Sequence, residues 1–325
     1  MAFSKITLNG TTLMDVTQDT VDEENLLAGE TATKANGVRT TGTLDLPIEL
    51  GVPYDGVDLS AKFSTEISGF SDVWAWLHDR IGDGNYDGIH IGDYIPFTCT
   101  NTAATKLNAK ILGINTYKSY GNSISTAIGN HIDFWAGVWP SRKAINTVYY
   151  NNGTSQSAHP WVASDLYLFC NSLQGSVASD ATANPTLTAK DYRSDGIYYY
   201  FPTALKNVIV EKEALLEKRY NSSELLTDAN ERGWVNLGKV WVPHEVEIYG
   251  TPIFSKPGYA SAGFVQYPFF ACNMNRLTFG RTYLWLLSPT SGSVQTWCGV
   301  DYNGAATTYF TSNTGVSTPV CFRVA

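Results

Sequence analysis

Two short motifs gather residue types that could do chemistry. The first is DGNYDG, Asp83 to Gly88, which sets two carboxylates and an amide at alternate positions. Asp83, Asn85 and Asp87, followed by Gly88, match the opening half of an EF-hand loop, where hard oxygen ligands recur at every second residue. That loop closes with a bidentate glutamate at its twelfth position. Here that position is Tyr94, with Asp93 before it, and IGDYI alternates as a strand rather than an exiting helix. A polar turn is therefore expected. Ca2+ on Asp83, Asn85 and Asp87 is the alternative, and no other cofactor is expected. The second motif is His244-Glu245-Val246-Glu247. A histidine beside two carboxylates could hold a metal or act as an acid-base pair. Read as a strand, it turns His244 and Val246 to one side and Glu245 and Glu247 to the other. A structural use is then favoured, with Glu245 accepting hydrogen bonds that hold the loop after Pro243.

No nucleophile elbow, phosphate loop or dinucleotide fingerprint occurs in the chain. Glycoside hydrolysis needs only two carboxylates, so a glycan-degrading enzyme stays open as an alternative. The expectation is a protein without catalytic residues. Its binding chemistry collects near the C-terminus, where Trp297, Asp301, Tyr302, Asn303, Tyr309, Ser312 and Asn313 stand among many Thr and Ser, with Asp301 the lone charge. Tyrosine and tryptophan supply rigid contact area, and Asn and Ser adaptable hydrogen bonds; aromatic faces also stack on sugar rings. The other reading of Trp297 and Tyr309 is core, as is expected for Leu284, Trp285, Leu286 and Leu287.

Something must position such a face. With 16 % charged and 13 % aromatic residues in 325, the chain can bury a large core and does not read as disordered. Ser71 and Asp72 can cap a helix over VWAWLHDRI, whose Val73, Trp74, Leu77 and Ile81 share one face. A second helix is expected in PWVASDLYLFCNSL, with Ser164 or an earlier residue as its cap. A third is expected through TALKNVIVEKEALLEKRY, with Leu205, Val208, Ile209, Leu215 and Leu216 inward. Residues 174 to 196 read as loop between them. IHIGDYIPFTCT and KLNAKILGINTY read as partner strands, and the last third as short strands between Gly, Pro, Asn and Ser breaks.

Residues 1–47 differ from the rest. ITLNGTTLMDVT suggests a hairpin about Asn9-Gly10, Asp22, Glu23 and Glu24 a helical turn carrying Leu26 and Leu27, and Asn36-Gly37 a second tight turn. Such a segment has too little apolar content for a core of its own and is expected to gain order by docking on a partner. Residues 48–64 read as a linker and 65–325 as the main domain.

The net charge of −8 without any block of Lys and Arg argues against a nucleic-acid partner. Cys99, Cys170, Cys272, Cys298 and Cys321 are odd in number and widely spaced, which argues against a disulfide framework or a zinc site. No apolar stretch has the length of a signal peptide or a membrane span, so no membrane is expected and release would be by lysis or within a particle.

The leucine-glycine element, "NG" turn and "TGT" strand of residues 1–47 resemble segments at the ends of tail-associated proteins of phages that infect Gram-positive bacteria. IHIGDYI, HPWVASDLYLFCNSL, KVWVPHEVEIYG, TYLWLLSPTS, CGVDYNG and TPVCFRVA occur in an order similar to a domain family of unknown function found in phage tail genes. That family resembles the C-type lectin-like fold, in the style of formylglycine-generating enzymes and retroelement-diversified variable proteins, which end in a strand of "G-x-R-x-V" type. Here Val320-Cys321-Phe322-Arg323-Val324 matches in part, with Val-Ser-Thr-Pro before it in place of glycines. Cys298 and Cys321 do not reproduce the redox pair of the formylglycine-generating relatives. The resemblance implies an α+β fold: a C-type lectin-like domain with a short twisted antiparallel sheet, flanking helices and long loops, preceded by a small β-rich attachment segment. It further implies a virion tail-tip or fibre protein made in the host cytoplasm. Such a protein would join other tail proteins through residues 1–47, assemble as a homotrimer by analogy with virion fibres, and bind a host-surface glycan or protein. A structural decoration protein of tail or head is the alternative.

Overall fold

The computed structural model describes residues 5–8, 11–15, 21, 23, 26, 30–42, 55–118, 128–148, 159–180, 186–217, 232–255, 263–277, 281–291, 293 and 295–325. The chain divides into two units, residues 1–54 and 55–325. In the first, β1 (Lys5–Leu8) pairs with β2 (Thr11–Asp15), and β3 (Thr31–Thr33) pairs with β4 (Arg39–Thr41), both antiparallel. The second hairpin turns at Asn36-Gly37: Gly37 takes a left-handed φ of 78°, and the Asn36 side chain accepts from Val38 N at 2.9 Å. Glu23 accepts from both Lys34 and Thr40, tying the hairpin to the segment before it. Asn9, Gly10, Asp22, Glu24 and Leu27 lie outside the described residues.

The larger unit begins before the boundary drawn from sequence. Asp58 caps α1 (Leu59–Lys62), Leu59 is fully buried, and Val57 N donates to Asp93 at 2.9 Å. Residues 55–64, read as linker, therefore belong to this fold. The short α2 (Ser64–Ile67) leads to α3 (Val73–Asp83), capped by Asp72 on Trp74 N and Ala75 N and stopped at Gly84. Trp74, Trp76, Leu77 and Ile81 are its buried apolar side chains.

Against α3 lies an antiparallel sheet of β5 (Tyr94–Thr98), β6 (Lys106–Ile114), β7 (Ile132–Val138), β10 (Ile209–Val210) and β16 (Pro319–Val324). Its order is β10-β16-β7-β6-β5, so the last strand of the chain lies inside the sheet. One face is wholly aromatic at its centre. Phe134 and Phe322 stack at 5.4 Å, and Trp74 of α3 meets Phe97, Phe134 and Phe322 edge-on at 6.0–6.1 Å. On the other face Trp135 meets Phe269 of a 3-10 turn, Pro268–Ala271, beside the charged pair described below.

Between these strands, α4 (Asp165–Asn171) carries a Ser164 cap that accepts from Tyr167 N at 3.0 Å. Residues 174–196, expected as loop, instead contain an antiparallel hairpin, β8 (Gln174–Ala178) with β9 (Leu187–Asp191), whose Val177 and Ala178 are buried. The third expected helix is replaced after one turn. Among its described residues only α5 (Thr203–Lys206) is helical; Ile209–Val210 then joins β16, and β11 (Glu213–Glu217) pairs with β12 (Arg232–Asn236). The run Val208-Ile209-Val210 explains the switch, because three β-branched or adjacent apolar side chains favour extended backbone that can join an open sheet edge. A separate antiparallel sheet, β13 (Leu284–Pro289), β14 (Thr296–Val300) and β15 (Ala306–Phe310), completes the unit. Helices and antiparallel strands together give a mixed, α+β fold. Among the described residues no helix is long and apolar enough to cross a membrane.

Phe322 sits where both Phe134 and Phe201 converge, at 5.4 and 5.7 Å. Phe322→Ala should lower the unfolding free energy by about 3–5 kcal/mol. Urea denaturation checks this; a loss below about 1 kcal/mol would mean that the aromatic face is not the core of the unit.

Candidate functional site

The described residues hold two assemblies of functional side chains, one buried and one at the surface. The buried one covers the second face of the central sheet. Arg323 on β16 stands opposite Asp133 on β7 in register and grips it bidentately, Nε to Oδ1 at 2.7 Å and Nη2 to Oδ2 at 2.8 Å. The Tyr267 hydroxyl donates to Asp133 at 2.9 Å and accepts from the Lys212 ammonium at 2.9 Å. Lys212 also pairs with Glu247, to which the Tyr117 hydroxyl donates. Two cations and two anions thus balance, all buried. Lys212 lies 4.3 Å from the Tyr117 ring centroid, 5.0 Å from that of Trp241 and 5.2 Å from that of Tyr267.

The ionisation states follow from this packing. Burial would raise Asp133, but the Arg323 guanidinium outweighs it and holds the carboxyl below its usual range. Burial, then the Glu247 charge, pushes the Tyr117 hydroxyl well above its ordinary value; burial and Asp133 do the same to Tyr267. The Cys321 thiol is likewise raised by burial, which leaves it inert as a nucleophile at neutral pH. With all members out of water, the network joins elements rather than meeting a substrate.

The HEVE motif belongs to this assembly in a geometry unlike the expected strand. It forms the start of α6 (Glu245–Tyr249), and His244 is its N-cap: Nδ1 accepts from Val246 N at 3.1 Å, and Glu247 accepts from His244 N at 2.7 Å. Prolines 243 and 252 bound the motif, and a capping box needs an acceptor followed three residues later by Glu, a pattern that His-Glu-Val-Glu meets. Glu245 does hold a loop, but a later one than expected. Its carboxylate accepts from Ile253 N, Phe254 N, Ser255 N and Ser255 Oγ at 2.6–3.0 Å. The polar turn at 83–88 is built around a cation, and that cation is Arg80. Its guanidinium donates to Asn85 O, Asn85 Oδ1 and Asp87 O at 2.7–3.2 Å. Among the described residues no group of three or more His, Cys, Asp or Glu is placed to hold a metal.

The surface assembly lies on the three-stranded sheet. Trp297, read from sequence as a contact residue, is fully buried and donates its indole N–H to Leu286 O at 2.6 Å, so it is core. Asp301 fixes the turn between β14 and β15 by accepting from Asn303 N and Ala305 N at 2.8 and 2.9 Å. That turn carries Tyr302, 48 % exposed, edge-on to Tyr283, 40 % exposed, at 5.7 Å. Tyr283 in turn meets the half-buried Tyr309 at 5.6 Å. Tyr309 lies across Gly299, where a Cβ would come within 2.5 Å of its ring, and its hydroxyl donates to Val300 O at 3.3 Å. Asp301, Tyr302 and Asn303 thus stand in the turn at one end of the sheet, and Tyr309, paired with Trp297 near the other end, leans its ring across Gly299 to meet Tyr283. Ser312 and Asn313 follow β15 at the other end, where Asn313 accepts from Gly315 N at 2.7 Å. Tyr283 escaped the sequence reading because it adjoins the core run Leu284–Leu287; its position one residue before a buried strand was the available signal.

The buried network makes stability pH-dependent in a defined direction. Burial, with Lys212 adding, pushes His244 down to about 3, so folded protein keeps it neutral while the unfolded chain takes a proton below about 6.5. Its contribution is complete above pH 6.5 and is lost as pH falls toward 3, with a slope of up to about 1.4 kcal/mol per pH unit. His131, lowered by burial, adds to this window, and Asp133 extends the loss below about pH 4. His244→Asn keeps a capping acceptor and should flatten the upper part of the profile, read by urea denaturation between pH 7 and 4. An unchanged slope would remove His244 from the account. Arg323→Met strands Asp133 without its counter-charge and should cost about 3–5 kcal/mol, more than Asp133→Leu with Arg323→Met together.

Comparison with known proteins adds no relative to this geometry: no family model, no curated protein and no solved structure matches the chain.

Proposed function

We propose that residues 55–325 form a binding module without catalytic residues, of C-type lectin-like kind, in a phage virion protein that attaches to a host-surface ligand. The contact residues are Tyr283, Tyr302 and Tyr309, with Asp301 and Asn303 beside them. The observation that carries this reading is the cluster of edge-on tyrosines at the end of a well-packed sheet, two of them with 40 and 48 % of their surface in water. Their exposed faces can stack on a sugar ring or a peptide side chain, and their hydroxyls can serve its polar groups. The turn is held from within by Asp301 and from outside by Tyr249, whose hydroxyl donates to Gly304 O at 3.0 Å. Little ordering entropy remains to be lost on binding. The virion setting, the attachment role of residues 1–47 and a trimeric assembly rest on the resemblance of their sequence words to phage tail proteins.

A glycan array probed with isolated protein tests the binding face. Tyr302→Ala and Tyr283→Ala should each weaken the strongest signal by about 2 kcal/mol, roughly thirtyfold. Full binding by folded variants would move the site elsewhere, and release of reducing sugar from the bound glycan would overturn the non-catalytic reading. Removal of residues 1–47 should leave a folded protein that no longer enters particles; normal incorporation would sink the attachment role.

A further inference from the structure

A second aromatic cluster, with Tyr199 exposed, differs from the first in carrying positive charge. Residues Tyr198–Tyr200 form a 3-10 turn ahead of α5. Its backbone is fixed from two sides: Tyr199 N donates to Ser172 Oγ at 2.6 Å, and Tyr200 O accepts from Thr100 N at 2.8 Å. Tyr200 stacks on the buried Trp139 at 6.2 Å with 13° between planes, and Tyr199, 44 % exposed, stands edge-on to Tyr200 at 5.2 Å. Two lysines distant in sequence meet at the same turn. The Lys206 ammonium lies 5.7 Å from the Tyr198 ring centroid and 5.4 Å from that of Tyr199; the Lys239 ammonium lies 5.1 Å from that of Tyr198.

Among the described residues neither ammonium has an acidic partner. Lys206 donates to Tyr199 O, and Lys239 to the Tyr198 hydroxyl at 3.1 Å. In this unit the ion pairs among described residues use Arg80, His90, Lys143, Arg193, Lys212 and Arg323 instead. An ammonium offers three N–H donors, so each lysine retains donors that its protein acceptor does not use. Two half-buried cations against one ring, in a chain of net charge −8, are a local reversal of the overall sign. Burial without a carboxylate nearby also lowers Lys206, and an anion beside it would relieve that cost.

We propose that Lys206 and Lys239, with Tyr198 and Tyr199, form a second binding site, for an anionic group carried on a sugar-like ring. The ring stacks on the exposed Tyr199 face, and its carboxylate or phosphate accepts from the two ammoniums. This site is separate from the tyrosines on the three-stranded sheet and does not depend on the function proposed for them. Its chemistry has two sources, a uronic acid or a sugar phosphate, which share the anion and differ in its geometry.

Isothermal titration with glucuronate, glucose 6-phosphate and glucose, at matched ionic strength, tests it. The unaltered protein should bind one or both anions and bind glucose at least roughly tenfold more weakly, the worth of a charge-assisted hydrogen bond. Which anion binds identifies the source. Lys206→Met and Lys239→Met keep the stem over the ring and should each weaken anion binding roughly tenfold; Gln replaces Met wherever near-UV circular dichroism shows a disturbed fold. Lys106→Met, at an exposed lysine of β6 outside both clusters, should leave anion binding unchanged. Failure to bind either anion, equal affinity for glucose, or undiminished binding by the lysine variants overturns the proposal.

Discussion

The larger unit depends on one cross-strand contact, the bidentate grip of Arg323 on Asp133 between β16 and β7. Burying an ion pair in a sheet is unfavourable unless geometry is good and remaining lone pairs are used. The geometry is good, Tyr267 also donates to Asp133, and Lys212 and Glu247 extend the pair into a neutral set of four charges, while the buried Arg323 Nη1 has no hydrogen-bond partner among the described residues. The contact also specifies register. Side chains alternate along a strand, so a slip of one residue would turn Arg323 toward Trp74 and Phe97 and send Phe322 against Asp133. A sheet with two apolar faces would tolerate such a slip far better. Here one face is apolar and centred on aromatic rings, and the other carries a matched set of charges beside Trp135 and Phe269.

That constraint links distant parts of the chain. Asp133 and Arg323 are 190 residues apart, and β16 enters between β7 and β10 after almost every other element exists. Contacts of such separation carry a large loop-closure cost before they are formed. The sheet therefore cannot be completed without its last six residues, and the network beneath it cannot be neutral until Arg323 arrives.

Much of the aromatic face was legible in the sequence, because it follows from local rules. Asp72 capping a run with Trp74, Leu77 and Ile81 on one side predicts α3, and Ser164 before Asp165–Asn171 predicts α4. The charged face was not legible for a physical reason. Lys212 lies in a segment that satisfies helical spacing, where a lysine reads as a solvated side chain; in the fold β10 joins β16 just before it, and Lys212 itself exchanges backbone hydrogen bonds with Leu237 and Gly238. Asp133 within IDFWAGV and Arg323 within PVCFRV did carry a signal, each a lone charge between large apolar residues, which in a strand means burial with a partner. In the candidate binding surface, Tyr302 and Asn303 were legible from the DYNG turn. Trp297 was not separable from them by composition, since alternation along a strand buried on both sides gives no contrast between faces.

The two assemblies of side chains meet in α6. A helix of five residues has almost no intrinsic stability, because nucleation costs more than its few hydrogen bonds return. Its persistence must come from what its side chains hold. Successive positions serve different structures: His244 caps it, Glu245 fixes the loop at Ile253–Ser255, Glu247 anchors Lys212 and Tyr117, and Tyr249 reaches Gly304 in the turn that carries Tyr302. His244 and Glu247 act in the interior, Glu245 holds a loop whose Ile253 and Phe254 are exposed, and Tyr249 ends at the surface turn. The position of the exposed tyrosines is therefore set by a buried charge network through one short, heavily tethered helix. A change that frees Glu247 is coupled to Tyr302 without touching it, and the coupling runs both ways: Tyr302 meets Tyr283, Tyr283 meets Tyr309, and Tyr309 meets the buried Trp285 edge-on at 5.8 Å.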